Sequence, residues 1–258
     1  MNGVTALELQ GLCRRFGGLE AVGDVTLSVP QGARKAIIGP NGAGKTTLFN
    51  VITGELAPSS GRIRLFGRDV TGLPAHRRAA MGLARTFQIT NLFRDLTVEE
   101  NVLLAVQALR RARYVMTRPL RHYTEMRRRA QTLLERAGLW EKRYTPVRAL
   151  SYGEQRQIEV LLALAGEPRL LLLDEPAAGL SPGERLEMAR FIKGLDAALT
   201  ILLIEHDMDV AFEVVETIAV LHFGRLVAEG TKEAVRANPA VQEIYLGTEA
   251  APGAAGAR

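Results

Sequence analysis

Gly39-Pro40-Asn41-Gly42-Ala43-Gly44-Lys45-Thr46-Thr47 decides how this chain is read. The spacing Gly-x-x-x-x-Gly-Lys-Thr lets the backbone curl so that successive N–H groups point inward at phosphate oxygens. The helix opened by such a loop adds the positive end of its dipole. A lysine at position 45 reaches β- and γ-phosphates, and the Thr46 hydroxyl is a magnesium ligand. The competing reading is a chance Gly-rich turn, which arises in on the order of 1% of chains this long. Here the apolar run Ala36-Ile37-Ile38 leads into the loop, and a helix is predicted through about Ile52, as the motif requires.

Upstream, Leu7, Leu9 and Leu12, then Val25, Leu27 and Val29, alternate as antiparallel strands do. Downstream, turn signals at Pro58–Gly61 and Phe66–Asp69 bracket another strand, and Leu83 to Phe87 reads as a strand ending at Gln88. The texture then turns helical. Thr97-Val98-Glu99-Glu100 is a capping box opening a helix to about Leu109. A second helix is predicted over about 120–137, with Met126, Ala130, Leu133, Leu134 and Ala137 on one face. Strand texture returns at 170–173, 200–204 and 218–221, with a helix opened by Ser181-Pro182-Gly183-Glu184 between the first two. This alternation predicts an α/β chain with a mostly parallel sheet, interrupted by a helical insertion at about 90–158. The Ala- and Gly-rich end, about 248–258, reads as a disordered tail, and no repeat of period 20–50 is present.

The 258 residues suit one large domain or a core with a lobe, and 47% apolar with 24% charged residues excludes wholesale disorder. A single cysteine, Cys13, rules out an internal disulfide. The N-terminus lacks the pattern of a secretory signal, and no apolar run approaches the roughly 18–20 residues needed to cross a bilayer. The expectation is a soluble, cytosolic chain that reaches a membrane only through a partner. The net charge is +5, but residues 110–148 hold twelve basic side chains against three glutamates. Such a run suits a solvated helical face or an anionic partner, and no aromatic ladder interleaves it for single-stranded nucleic acid.

Two further segments bear on chemistry. Leu170–Leu173 followed by Asp174-Glu175-Pro176 reads as a buried strand delivering Asp174 to a magnesium shell. Glu175, pointing the other way along the strand, is then set to polarise an attacking water. Alone, Asp-Glu-Pro is equally a polar turn. Ser151-Tyr152-Gly153-Glu154-Gln155 stands where a helix begins, so its N–H groups and the Ser151 hydroxyl offer a second anion site without a lysine. In isolation it is better read as an ordinary helix cap.

Taken together, these segments resemble the ATP-binding-cassette ATPases, over about residues 6–247 and in the family's order. The family signature is usually Leu-Ser-Gly-Gly-Gln; here Leu150-Ser151-Tyr152-Gly153-Glu154-Gln155 replaces the first Gly with Tyr152 and interposes Glu154. The resemblance implies a P-loop NTPase (RecA-like) core at about 1–89 and 159–235, an antiparallel β subdomain, an inserted α-helical subdomain at about 90–158 and C-terminal helices at about 231–247. It implies ATP and Mg2+, held by residues 39–47 (Gly39, Pro40, Asn41, Gly42, Ala43, Gly44, Lys45, Thr46, Thr47), with Thr46, Gln88 and Asp174 at the metal. Phe16 matches the aromatic that stacks on adenine, Gln88 the glutamine linking the metal region to a transmembrane partner, Ala178-Gly179-Leu180-Ser181 the loop after the catalytic Glu175, and His206 the switch histidine at the γ-phosphate. Ser151, Gly153 and Gln155 of a second cassette, identical or homologous, then close over the nucleotide head to tail.

A narrower likeness follows from Ala84–Gln88, Asn91–Val98, Glu205-His206-Asp207-Met208 and Tyr245-Leu246-Gly247. These look like the ATPase subunits of branched-chain (hydrophobic) amino-acid importers, which implies permease subunits, a periplasmic solute-binding protein and a place on the cytoplasmic face of the inner membrane. Urea-type importers and the lipopolysaccharide-export ATPase share much of the pattern. A soluble cassette acting on DNA or ribosomes usually has two cassettes or a long coiled coil, which this chain lacks, and a small-molecule kinase would lack the Ser151 segment. No specific nucleic-acid partner is expected. Filter binding should therefore detect only weak, sequence-independent retention of DNA or RNA that fades steeply with salt, since counterion release is its only source.

Overall fold

Alternating apolar residues build β1 (Thr5–Phe16) and β2 (Leu19–Pro30), an antiparallel hairpin closed by Gly17-Gly18. Leu7 pairs with Val29, Leu9 with Leu27 and Leu12 with Val25, and all six are buried, as their period-two spacing predicts. The computed structural model describes residues 5–86, 92–108 and 124–249, the last four without their side chains. The described residues group into two compact units, one within Met1–Met81 and Thr200–Arg258 and one within Gly82–Leu199.

In the first unit, β3 (Arg34–Ile38) is buried along its whole length and leads to α1 (Lys45–Thr53). Its apolar run is what a strand covered on both faces requires. The other edge of β1 carries β4 (Ser60–Leu65), which pairs in turn with the two-residue β5 (Arg68–Asp69). The turn predicted over Phe66–Asp69 is thus tighter, centred on Phe66-Gly67 with both φ angles positive. A short helix, α2 (Ala75–Ala80), follows.

In the second unit, β6 (Leu83–Arg85) pairs in parallel with β7 (Leu170–Asp174). β6 stops at Arg85, earlier than predicted; Phe87 and Gln88 lie outside the described residues. The capping box is present at Thr97, whose N–H reaches the Glu100 carboxylate at 2.8 Å while its hydroxyl accepts from the Glu100 N–H at 3.2 Å. It opens α3 (Val98–Ala108), which packs with α4 (Thr124–Arg136) and α5 (Tyr152–Leu164) through Val102, Val106, Met126, Ala130, Leu133, Leu134, Ile158 and Leu161. Ala137 follows the end of α4 and is half-buried. Arg127, Arg128, Arg136, Lys142 and Arg148 face solvent, whereas Arg129 and Arg143 are half-buried. The last helix of this unit is α6 (Pro182–Lys193).

The chain returns to the first unit through β8 (Thr200–Ile204), α7 (Met208–Val214) and β9 (Thr217–His222). β8 and β9 flank β3, both parallel to it; β10 (Arg225–Thr231) joins β9 antiparallel. α8 (Lys232–Arg236) and α9 (Pro239–Glu249) complete the fold.

One buried cation fixes α1 at its C-terminal end. Arg78, only 1% exposed, donates to the carbonyls of Val51 and Ile52 (2.7 Å each), Leu73 (2.9 Å) and Thr71 (3.1 Å). Val51 and Ile52 lie in the last turn of α1, where carbonyls lack helical partners and the dipole favours a positive charge. Arg78→Met is expected to lower stability by about 3 kcal/mol, because it strips several buried carbonyls of their donor at once. A urea titration should show the loss as a lower midpoint, and a midpoint within error of the parent would refute this role.

Candidate nucleotide-binding and catalytic residues

The phosphate loop is seated by backbone approaches that no side chain would permit. A Cβ on Gly39 would stand 2.1 Å from the Leu221 carbonyl oxygen, and one on Gly44 2.2 Å from that of Ala21. Gly44 also has a φ of 97°, in the range that favours glycine. Gly224, in the turn between β9 and β10, donates its N–H to the Ala43 carbonyl (2.9 Å) and accepts from the Gly23 N–H (2.8 Å). Sequence reading missed Gly224; its signal was a Phe-Gly turn between two strands. Lys45 is buried, with its ammonium on the loop carbonyls of Gly39 (2.7 Å) and Pro40 (3.1 Å). Asn41, Gly42 and Thr46 are exposed, Pro40 and Thr47 half-buried, and Ala43 buried.

Two more candidates belong to the same unit. Phe16 ends β1, 44% exposed, with the Arg14 guanidinium 4.5 Å from its ring centroid. His206 follows β8; its side chain is half exposed, with Nδ1 4.0 Å from a carboxylate oxygen of the fully buried Glu205. Asp207 next to it caps α7 by accepting from the Asp209 and Val210 N–H groups.

In the second unit, Asp174 closes β7 with its side chain fully buried. Its Oδ2 takes a 2.6 Å bond from Arg85, and its N–H donates to the Thr86 hydroxyl at 3.2 Å. Oδ1 is buried and has no hydrogen-bond partner among the described residues. Glu175 differs from expectation. It does not continue the strand to point the other way, because β7 ends at Asp174 and Glu175 turns left-handed with a φ of 47°. A bulky residue in that region is strained, and strain of this kind collects at functional sites.

α5 begins with a complete capping box: the Ser151 hydroxyl accepts from the Glu154 N–H, and the Glu154 carboxylate accepts from the Ser151 N–H. The Gly153 N–H points to the Glu184 carboxylate at 3.2 Å. Glu184 also completes the capping box of α6 on Ser181. The Tyr152 ring lies so close to Gly179 that a Cβ there would stand 3.2 Å from it. Gln155 turns inward, buried, with its amide on the Leu150 carbonyl. The structure therefore brings Ser151 and Gly153 to one helix end and sends Gln155 away from it.

No group of three His, Cys, Asp or Glu residues is gathered among the described residues. Magnesium does not require one, since it is held by one or two protein oxygens together with phosphates and water. In the second unit the orphan Oδ1 of Asp174 fits that chemistry; in the first, taken by itself, the exposed Thr46 offers a hydroxyl oxygen, and Gln88 lies outside the described residues.

Glu184 yields a pH prediction. Hydrogen bonds from the Ser181 side chain, the Ser181 N–H and the Gly153 N–H hold its carboxyl below the usual Glu range. The stability these bonds contribute is present above the ordinary Glu pKa and lost as pH falls through the lowered one. Gly153→Ala places a Cβ 2.9 Å from the flexible end of Glu184 and should break that contact without unfolding the chain. NMR titration should then find Glu184 closer to the ordinary value than in the parent; an unchanged titration would show that Gly153 contributes nothing.

The comparisons with known proteins agree with one another. Residues 22–178 match the ABC transporter family, and residues 225–251 match the branched-chain amino acid ATP-binding cassette transporter family. The chain is 44% identical to the high-affinity branched-chain amino acid transport ATP-binding protein LivG of Salmonella typhimurium, covering 93% of this chain and 97% of the relative. It is 41% identical to the corresponding protein BraF of Pseudomonas aeruginosa with the same coverage. The ADP conformation of MJ1267, an ATP-binding cassette of an ABC transporter, superposes with a TM-score of 0.84 at 30% identity, covering 94% of this chain and 99% of that one. Among the described residues no helix is long and apolar enough to cross a membrane. The chain belongs to the ABC transporter family, as an ATP-binding subunit that hydrolyses ATP.

Proposed function

We propose that this chain energises the uptake of branched-chain amino acids, working with permease subunits on the cytoplasmic face of the membrane and with a periplasmic solute-binding protein. The observation that carries the substrate class is the match of residues 225–251 to the branched-chain family, beyond the stretch shared by ABC transporters at large. We assign 90–158 as the helical subdomain through which the permease is felt, with Gln88 at its edge.

The site residues take these roles in our reading. The N–H groups of residues 39–47 cradle the phosphates, and Lys45 leaves the loop carbonyls for β- and γ-oxygens, a charge-assisted exchange that backbone donors cannot replace. Phe16, with Arg14 on its ring, receives adenine. Thr46, Asp174 and Gln88 hold Mg2+, which supplies neutralisation of charge on the β- and γ-oxygens. Glu175 orients the attacking water and takes its proton, and His206 donates to the γ-phosphate. Ser151 and Gly153 of a second cassette grip the same γ-phosphate, while Gln155 supports their turn through Leu150.

Glu175→Gln keeps the shape and removes the base, so ATP should bind, persist and convert monomer to dimer by size exclusion with light scattering. Lys45→Ala should abolish hydrolysis with the fold intact. Reconstituted with a branched-chain amino-acid permease and binding protein, the chain should drive ATP-dependent accumulation of labelled leucine. Urea uptake or lipid export without leucine uptake would overturn the substrate class; a monomeric Glu175→Gln protein with ATP and every cassette partner present would overturn the sandwich.

A further inference from the structure

We propose that Arg85 is the positioning residue of the magnesium site: it pins one oxygen of Asp174, leaves the other for the metal, and makes metal capture depend on nucleotide. This rests on the reading of Asp174 as a metal residue. Arg85 ends β6, and its Nη2 lies 2.6 Å from Asp174 Oδ2 with both side chains buried, 7% and 0% exposed. The next residue repeats the grip through the main chain. The Thr86 N–H donates to the Leu172 carbonyl at 3.0 Å, and the Thr86 hydroxyl accepts from the Asp174 N–H at 3.2 Å. The last residue of β6 and the one that follows it thus fix both the carboxylate and the backbone of Asp174.

A buried ion pair at a strand end is not explained by stability alone, because desolvation offsets most of the attraction and an apolar pair would serve as well. Nor does the pair satisfy the carboxylate. Oδ1 is buried with no hydrogen-bond partner among the described residues, a costly arrangement unless a metal or its bound water completes it. The guanidinium also cancels the charge of Asp174. Among the described residues no group of three His, Cys, Asp or Glu is gathered to hold a metal, so with Asp174 neutralised by Arg85 a bare divalent cation meets only weak attraction there. Nucleotide phosphates supply the missing negative charge, so metal is captured with them. The planar fork matters, since an ammonium at this position neutralises the charge without fixing the plane of the carboxylate.

The test is Mn2+ binding to the full-length chain, followed by electron paramagnetic resonance, alone and with a non-hydrolysable ATP analogue. The wild type should hold Mn2+ at least about tenfold more weakly without the analogue than with it. Arg85→Gln should tighten binding of Mn2+ alone by about tenfold and weaken Mn2+ with the analogue. Arg85→Lys should leave the first unchanged, weaken the second and alter the Mn2+ spectrum. A residue that only stabilises the fold would lower the unfolding midpoint and leave metal affinity and spectrum as they were. Should Arg85→Gln fail to fold, Arg85→Lys and the wild-type titration still decide, and tight Mn2+ binding by the wild type without nucleotide overturns the proposal. Asp174→Asn separates the two ideas. If it leaves Mn2+ with the analogue unaffected, the metal reading of Asp174 falls; if it weakens that binding while both Arg85 variants match the wild type, the role of Arg85 falls alone.

Discussion

Backbone passes against backbone at the phosphate loop, and the first unit is organised around that approach. Gly39 sits against the Leu221 carbonyl and Gly44 against that of Ala21, at separations where any Cβ would collide. The approach is possible because β3 lies between β8 and β9 as a fully buried parallel strand, which delivers the loop to the end of β9. The Gly224–Ala43 bond then holds the loop in its curl. At the other end of α1, Arg78 collects the carbonyls of the last turn. Fixed at both ends, the helix presents its N-terminal N–H groups without reorganising, which is the condition for strong binding of an anion at a helix end.

The second unit works with carboxylates at the ends of elements. Glu100, Glu154 and Glu184 each close a capping box, and Glu184 also reaches the Gly153 N–H of the neighbouring helix. Glu100 is exposed and Glu154 and Glu184 are only half-buried, so their worth lies in fixing where α3, α5 and α6 begin rather than in large energies. Asp174 is the contrast. It is buried, and its place is set by Arg85 at the end of the adjacent strand and by Thr86 just after it. Glu175 immediately afterwards leaves the strand by a left-handed step, so two adjacent acids have different surroundings and different tasks. The closeness of Tyr152 to Gly179 gives the departure from the usual signature a physical sense, since the ring fills space beside the loop that follows Glu175.

Membership of the ABC transporter family joins these local devices to one activity, ATP hydrolysis. The C-terminal segment matched to the branched-chain family starts at β10 and runs through α8 and α9, far in sequence from the phosphate loop. The stretch that distinguishes the branched-chain family match is therefore separate in sequence from the phosphate loop.

The sequence by itself determined most strands, though not β5 or β10, most helix starts and the phosphate loop, because each is encoded locally: period two in Leu7, Leu9 and Leu12, Thr or Ser three residues before Glu at Thr97 and Ser181, and glycines at fixed spacing before Lys45. It also picked out Asp174 and Glu175, but it made Glu175 a continuation of the strand, since the side-chain alternation of a β-strand holds only while the backbone stays extended. It placed Gln155 beside Ser151 as a ligand, whereas the first turn of α5 rotates it into the interior. The distant partners of Arg85, Glu184 and Gly224 were invisible, for one reason. Each acts on a residue far away in sequence, 89, 31 and 181 positions distant for Asp174, Gly153 and Ala43. Only pairing β6 with β7, packing α5 on α6 and turning β9 back into β10 bring them within hydrogen-bond reach, so it was the tertiary structure that decided which arginine, which glutamate and which glycine hold the site.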